Sequence, residues 1–198
     1  MEEIIDMKKI LVVVDMQNDF INGSLGTPEA QSIVNKVVEK MKNVDRDTLI
    51  LLTKDTHKSN YLKTLEGKKL PIEHCIEGTP GWSIHNDVSH AADYSHYGLR
   101  YSAKDVVKSR IIKNTFGSDK LEELLVEFKD VVKEVELIGL CTDVCVVSNA
   151  LMARQKLPNT IIKVDASCCA GTTPENHRAA LEVMRSCLID IVNDETDV

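Results

Sequence analysis

Apolar residues along this chain fall into two kinds of run. The first kind is short and continuous: Lys9–Asp15 (KILVVVD), Thr48–Thr53 (TLILLT), Ser109–Lys113 (SRIIK), Val135–Leu140, Thr160–Val164 and Leu188–Val192. Blocks rich in β-branched residues with no polar alternation predict strands buried on both faces, as in a parallel sheet covered by helices. The second kind recurs at helical spacing. Pro28–Asn43 places Ile33, Val37, Val38 and Met41 on one face, and Ser118–Phe128 places Leu121, Leu124, Leu125 and Phe128 inward. Asp143 to about Lys156 does so with Val144, Val147, Ala150 and Leu151, and Pro174–Cys187 completes the set. Strands alternating with helices require crossover connections. The pattern predicts one α/β domain over residues 1–198: three α/β/α layers around a mainly parallel sheet of about six strands. A long polar stretch from Thr56 to about His85 interrupts it, punctuated by Gly67, Pro71, Gly78, Pro80 and Gly81. Loops of that length inside a domain are usually functional.

Composition narrows the class. The chain has 198 residues, 43% hydrophobic and 28% charged, enough for one sizeable core. A net charge of −7 argues against a nucleic-acid partner, which needs a basic face. No apolar run approaches the roughly 20 residues that span a bilayer, so no membrane is expected. The opening MEEIIDMKKILVVVD sets acids before a strand, unlike a signal peptide. The six cysteines are therefore read as reduced thiols in a cytoplasmic protein.

In open parallel sheets the chemistry gathers at the carboxyl ends of the strands. Asp15, Asp55, Lys113 and Cys145 all fall at or just past such ends. Asp143 is a plausible N-cap for the following helix, which would put Cys145 in a first turn. There the helix dipole would lower the thiol pKa, and backbone amides could hold an oxyanion. Asp15 could take the thiol proton, with Lys113 as the neighbouring cation. Taken singly, each also fits a bland role: a buried structural cysteine, a capping acid, a snorkelling lysine. In the polar stretch, Asp55-x-His57, Glu66 and His74 offer carboxylate and imidazole donors suited to a divalent Zn, Fe or Mn ion. A turn-capping aspartate and solvated histidines would look the same.

Asp15 in VVVDMQNDF, Lys113 in IIKNTFGS and Cys145 in GLCTDVCV together resemble the signatures of the isochorismatase-like cysteine hydrolases. The resemblance covers about Lys9 to Val192. It implies that Cys145 attacks a carboxamide carbon, that Asp15 takes the thiol proton and passes it to the departing ammonia, and that Lys113 balances their charge. It implies an oxyanion hole from the amides of Cys141 and Cys145, with a cis peptide at Leu140–Cys141. The cysteine itself argues for C–N rather than vinyl-ether hydrolysis. Asp-x-His followed by His74-Cys75 and GTPG resembles the nicotinamidase branch, which deamidates nicotinamide to nicotinate and uses a metal to anchor the ring nitrogen. Its third metal ligand would be Glu66, with Glu73 the rival. Phe20 matches an aromatic that stacks on the substrate ring. The partner aromatic is missing from Lys69-Leu70-Pro71-Ile72-Glu73, so Leu70 or Trp82 would take its place. Family members are commonly homo-oligomers. Rival readings are an amidase for a non-aromatic carbamoyl or ureido compound, a silent metal-binding member, and a redox role for Cys141 and Cys145. Cys75, Cys168, Cys169 and an inward Cys187 read as structural. His85, His90 and His96 read as solvated or interfacial, and His177 as an exposed helix residue.

Overall fold

The central strand β1 (Lys9–Val14) explains the architecture. Successive side chains of a strand point to opposite faces, and here both faces are apolar. Ile10, Val12 and Val14 enter one hydrophobic cluster, while Leu11 and Val13 enter the other. Helices must therefore cover both sides. The computed structural model describes residues 8–45, 47–97 and 110–194. The N-terminal segment MEEIIDM, Ser109 and the side chain of His96 lie outside the described residues.

Beyond β1 the elements are α1 (Asn18–Ile21), α2 (Pro28–Lys42), β2 (Thr48–Asp55), α3 (Leu65–Lys69), α4 (Asn86–Tyr97), β3 (Arg110–Lys113), α5 (Asp119–Glu127) and β4 (Glu134–Leu140). A π-turn (Thr142–Val146) then leads into α6 (Val147–Lys156), β5 (Ile161–Ala170), α7 (Pro174–Ser186) and β6 (Asp190–Val192). The six strands run in the order β3-β2-β1-β4-β5-β6, each pair parallel. This is the α/β three-layer fold the pattern predicts. Leu121 and Leu125 of α5, Ala150 and Ala153 of α6 and Leu181 and Met184 of α7 pack on one face. Ile33, Val37 and Met41 of α2 and Val88 and Ala91 of α4 pack on the other. Full burial of a large aliphatic side chain contributes about 1.5–3 kcal/mol, so these two layers hold the sheet. Three helices start where expected, because Thr27, Ser118 and Thr173 each cap an amide three residues on. No helix among the described residues is long and apolar enough to cross a membrane.

Four details depart from the sequence pattern. The polar stretch carries a 3-10 turn (Tyr61–Lys63) and α3, and α4 follows it. Strand β5 runs on to Ala170, with a bulge where Leu137 pairs with Val164 but Gly139 with Cys169. Strand β6 starts only at Asp190, because Leu188 turns with φ of 62°. Cys187 is exposed rather than inward, since α7 ends at Ser186 and the cap turns out to solvent.

Candidate active site

The strand order reverses direction between β1 and β4, and the crevice forms beyond their carboxyl ends. Asp15 leaves β1 with φ of 45°, a left-handed conformation that a non-glycine residue adopts only where its surroundings hold it. Thr53 of β2 does the holding: its hydroxyl donates to Asp15 Oδ1 at 2.7 Å and accepts from the Asp15 amide at 3.2 Å. Lys113 ends β3 in register with Asp55 of β2. Its Nζ lies 2.6 Å from Asp15 Oδ2, 3.4 Å from Asp55 Oδ1 and 3.4 Å from Cys145 Sγ. The structure thus brings Asp15, Lys113 and Cys145 together, all buried.

The route to Cys145 is not the one the helical pattern suggests. Residues Thr142–Val146 form a π-turn, and Cys141 caps it with no side-chain bond. Asp143 does not cap the helix; its carboxylate accepts from the Thr172 amide at 2.8 Å and the Thr172 hydroxyl at 2.5 Å. The peptide Leu140–Cys141 is cis. The thiol is also not lowered. Burial pushes Cys145 well above its usual pKa, and the Asp15 carboxylate adds to this against Lys113. Burial likewise raises Asp15, opposed by Lys113. Burial would lower Lys113, but Asp15, Cys145 and Asp55 outweigh it and keep the ammonium charged. At rest the trio is a neutral thiol beside an ion pair, with a carboxylate made more basic than one in water.

A cavity of about 430 Å³ opens over Cys145. Phe20, Leu70, Phe116, Val144 and Cys141 make its apolar wall, and Asp55, Glu66 and His74 stand at its polar end. Asp55 Oδ2 lies 3.0 Å from His57 Nε2 and 3.7 Å from His74 Nε2. The donor atoms of these three buried residues all lie within 4.8 Å of one another. Glu66 Oε1 is 3.6 Å from His57 Nε2 and 3.8 Å from His74 Nε2, whereas Glu73 is exposed. The arms carrying the two histidines are zipped by backbone bonds, His57 N to Cys75 O and Glu77 N to His57 O, each 2.9 Å. His74 Nδ1 is held by Ile72 O at 2.8 Å, which turns Nε2 inward, and His57 Nε2 is buried with no hydrogen-bond partner. An orphaned imidazole nitrogen facing a carboxylate and a second imidazole fits a divalent ion such as zinc.

Trp82 does not line this cavity; its indole N–H donates to Thr56 Oγ1 at 2.8 Å and Lys54 lies over its ring. His177 is not fully exposed: its Nδ1 lies 2.8 Å from Thr142 Oγ1, and burial holds its pKa below 6.5. The sequence pattern missed Thr53, which reads as the last residue of an apolar block. It missed Gln17 too, whose amide brackets Asp55 by accepting from its N–H at 2.7 Å and donating to its carbonyl at 2.9 Å. It also missed Asn149, which donates to Cys145 O at 2.7 Å. Polar residues at full burial are the signal, but burial is visible only in the folded chain.

The fold and crevice define a three-layer α/β protein with a thiol, a carboxylate and an ammonium at adjacent strand ends and a carboxylate–imidazole cluster beside them. The isochorismatase domain model matches residues 9–196. The chain belongs to the isochorismatase family, on its nicotinamidase-like branch. It is 27% identical to a nicotinamidase/pyrazinamidase of Mycobacterium tuberculosis, over 93% of this chain and 98% of that protein. The crystal structure of nicotinamidase PncA from Bacillus subtilis superposes with a TM-score of 0.75 at 26% identity, covering 93% of this chain and 99% of the other. A pyrazinamidase of Pyrococcus horikoshii, solved in complex with zinc, matches at a TM-score of 0.71 and 26% identity over 94% and 99% of the two chains.

Proposed function

We propose that this protein is a metal-assisted amidohydrolase that converts nicotinamide and water to nicotinate and ammonia through a thioester on Cys145. One observation carries the reading: Lys113 Nζ stands within 3.4 Å of both Cys145 Sγ and Asp55 while paired to Asp15, at the floor of an apolar cavity with a ligand cluster at one end. Cys145 Sγ forms a bond to the carboxamide carbon as Asp15 takes its proton. Asp15 passes that proton to the amide nitrogen, the C–N bond breaks and ammonia leaves. Water then attacks the thioester carbon as Asp15 takes a proton from it, the C–S bond breaks, and Asp15 returns that proton to the departing sulfur to restore the thiol. The amides of Cys141 and Cys145 receive the oxyanion in both steps. Lys113 keeps the Asp15 carboxylate paired while Asp15 is ionised.

Asp55, His57 and His74, with Glu66 as a further ligand directly or through water, would hold the ion, which supplies an anchor for the ring nitrogen. Phe20 and Leu70 bracket the ring. The cytoplasmic setting and homo-oligomeric assembly form part of the same proposal. Leu70 in place of a second aromatic favours one rival, an amidase for a smaller non-aromatic amide. Ammonia release from nicotinamide, set beside a carbamoyl and a ureido compound, a Cys145→Ala control and metal analysis of the same batch, tests the reading. Turnover of nicotinamide that vanishes in the variant, with one metal per chain, supports it. Bound metal with turnover only of the carbamoyl or ureido compound moves the assignment to the rival.

A further inference from the structure

The turn that carries Cys145 is tied to the helix that follows it, where the Val147 amide bonds the Thr142 carbonyl and Asn149 Nδ2 donates to Cys145 O at 2.7 Å. Its cap makes no side-chain bond, and the Val144 and Val146 amides share the single Cys141 carbonyl at 3.1 and 3.0 Å. Yet Sγ must keep its place against Asp15 and Lys113, since a displacement of about 1 Å at a reacting centre can cost about 100-fold in rate. A second restraint comes from one strip of chain, residues 171–177. Thr142, fully buried, meets His177 Nδ1 at 2.8 Å. Asp143 accepts both bonds from Thr172. Gly171 closes the contact: a Cβ there would stand 2.9 Å from Asp143 Oδ1 and 2.8 Å from the His177 amide. The strip is itself rigid, because Thr173 caps α7 and Asn176 Nδ2 donates to Thr172 Oγ1 at 2.9 Å.

We propose that residues 171–177 form a clamp that registers the nucleophile turn, with His177 as its positioning residue acting through Thr142. His177 does not line the cavity over Cys145 and touches no reacting atom, so its effect should fall on the chemical step rather than on binding. The turnover readout rests on the nicotinamidase reading, and a second readout does not.

The experiment compares Thr142→Val and His177→Leu, which remove the bond, with Thr142→Ser and His177→Asn, which keep a polar atom at each end, and with the double variant T142V/H177L. One readout is kcat and KM for nicotinamide. The other is the rate of Cys145 alkylation by iodoacetamide, followed by peptide mass spectrometry, which needs no substrate. The clamp predicts that kcat falls about 10–100-fold in T142V and H177L with KM within about twofold, and that the double variant is no worse than the poorer single. T142S and H177N recover most of kcat, and the alkylation rate moves with kcat across the series. Wild-type kcat and alkylation in H177L, a loss confined to KM, or additive losses in the double variant would overturn it. If H177L does not fold, the near-isosteric T142V decides alone. If the wild type does not turn over nicotinamide, the substrate reading fails separately, and wild-type alkylation rates in both bond-removing variants would overturn the clamp.

Discussion

Lys113 is 4% exposed, and its ammonium is the cation that pairs with Asp15 and also faces Asp55. Replacing it with methionine keeps an unbranched side chain, one atom shorter, and removes the charge. At 2.6 Å the attraction to Asp15 is about 6 kcal/mol with an effective dielectric of about 20. The cost of burying both ions offsets part of this, and breaking such a pair on one side typically costs about 3–5 kcal/mol. For a chain of this size that corresponds to a Tm lower by about 6–20 °C. The loss should be specific to the stranded carboxylate. Asp15→Asn removes that stranded negative charge, so the double variant K113M/D15N should regain most of the stability lost in K113M while turning over no amide. Acid should also relieve K113M. Without its cation Asp15 has a folded pKa raised further above 3.8, and such a group loses stability as pH rises, so the deficit shrinks toward low pH. The assay is thermal unfolding of the four proteins from pH 5 to pH 8 at matched metal content, with ammonia release in parallel. A double variant whose Tm loss equals the sum of the two singles would refute the coupling and, with it, the placing of Lys113 as the counter-ion of Asp15.

Other expectations test separate parts of the molecule. On the proposed metal reading, chelation, or changing His57 or His74 to alanine, should abolish stoichiometric metal binding and lower Tm by several degrees, because an ion bound only to the native state adds to stability; Glu66→Ala should weaken metal retention less than either histidine change, as dialysis against graded chelator would measure. Burial alone would raise Asp165, but Lys40 at 2.5 Å and the Ser167 and Asn193 donors hold it below 3.8. Its contribution is therefore full above that value and lost as pH falls below it, while that of Lys40, held above 10.5 by Asp165 and Glu136 despite burial, is lost only as pH rises past 10.5. Asp165→Asn should cost about 1–3 kcal/mol at neutral pH and flatten the acid limb of the unfolding curve. Gly139 has φ of 113°, and a Cβ there would lie 2.2 Å from Val14 O, so Gly139→Ala should displace the end of β4, lowering both Tm and ammonia release. A Gly139→Ala protein with wild-type Tm would contradict that geometry.

Local chemistry made much of this protein legible before folding. Continuous blocks such as KILVVVD and TLILLT can be satisfied only by a sheet covered on both faces, and helical periodicity supplied the covers, so the layers and the parallel order of elements followed. Strand-end polar residues in that setting pointed to Asp15, Asp55, Lys113 and Cys145, because a charged group beside a buried block either reaches solvent or meets a partner at the crevice. What the chain could not reveal in one dimension was the conformation and solvation of the turn after β4. A helix dipole acting on Cys145 was a reasonable local expectation, but the turn is a π-turn and full burial governs the thiol. Asp143 looked like a cap and is spent on Thr172 instead. Trp82 lay near enough in sequence to reach the ring site, yet its indole is held away by Thr56. Thr53, Gln17, Asn149 and His177 carried no local mark, because each gains its role from a partner at least four residues away, and for three of them more than thirty. Periodicity and terminal polarity are local properties that sequence determines; desolvation, register and long-range hydrogen bonds exist only once strands and helices are packed, and they decided how the site is held.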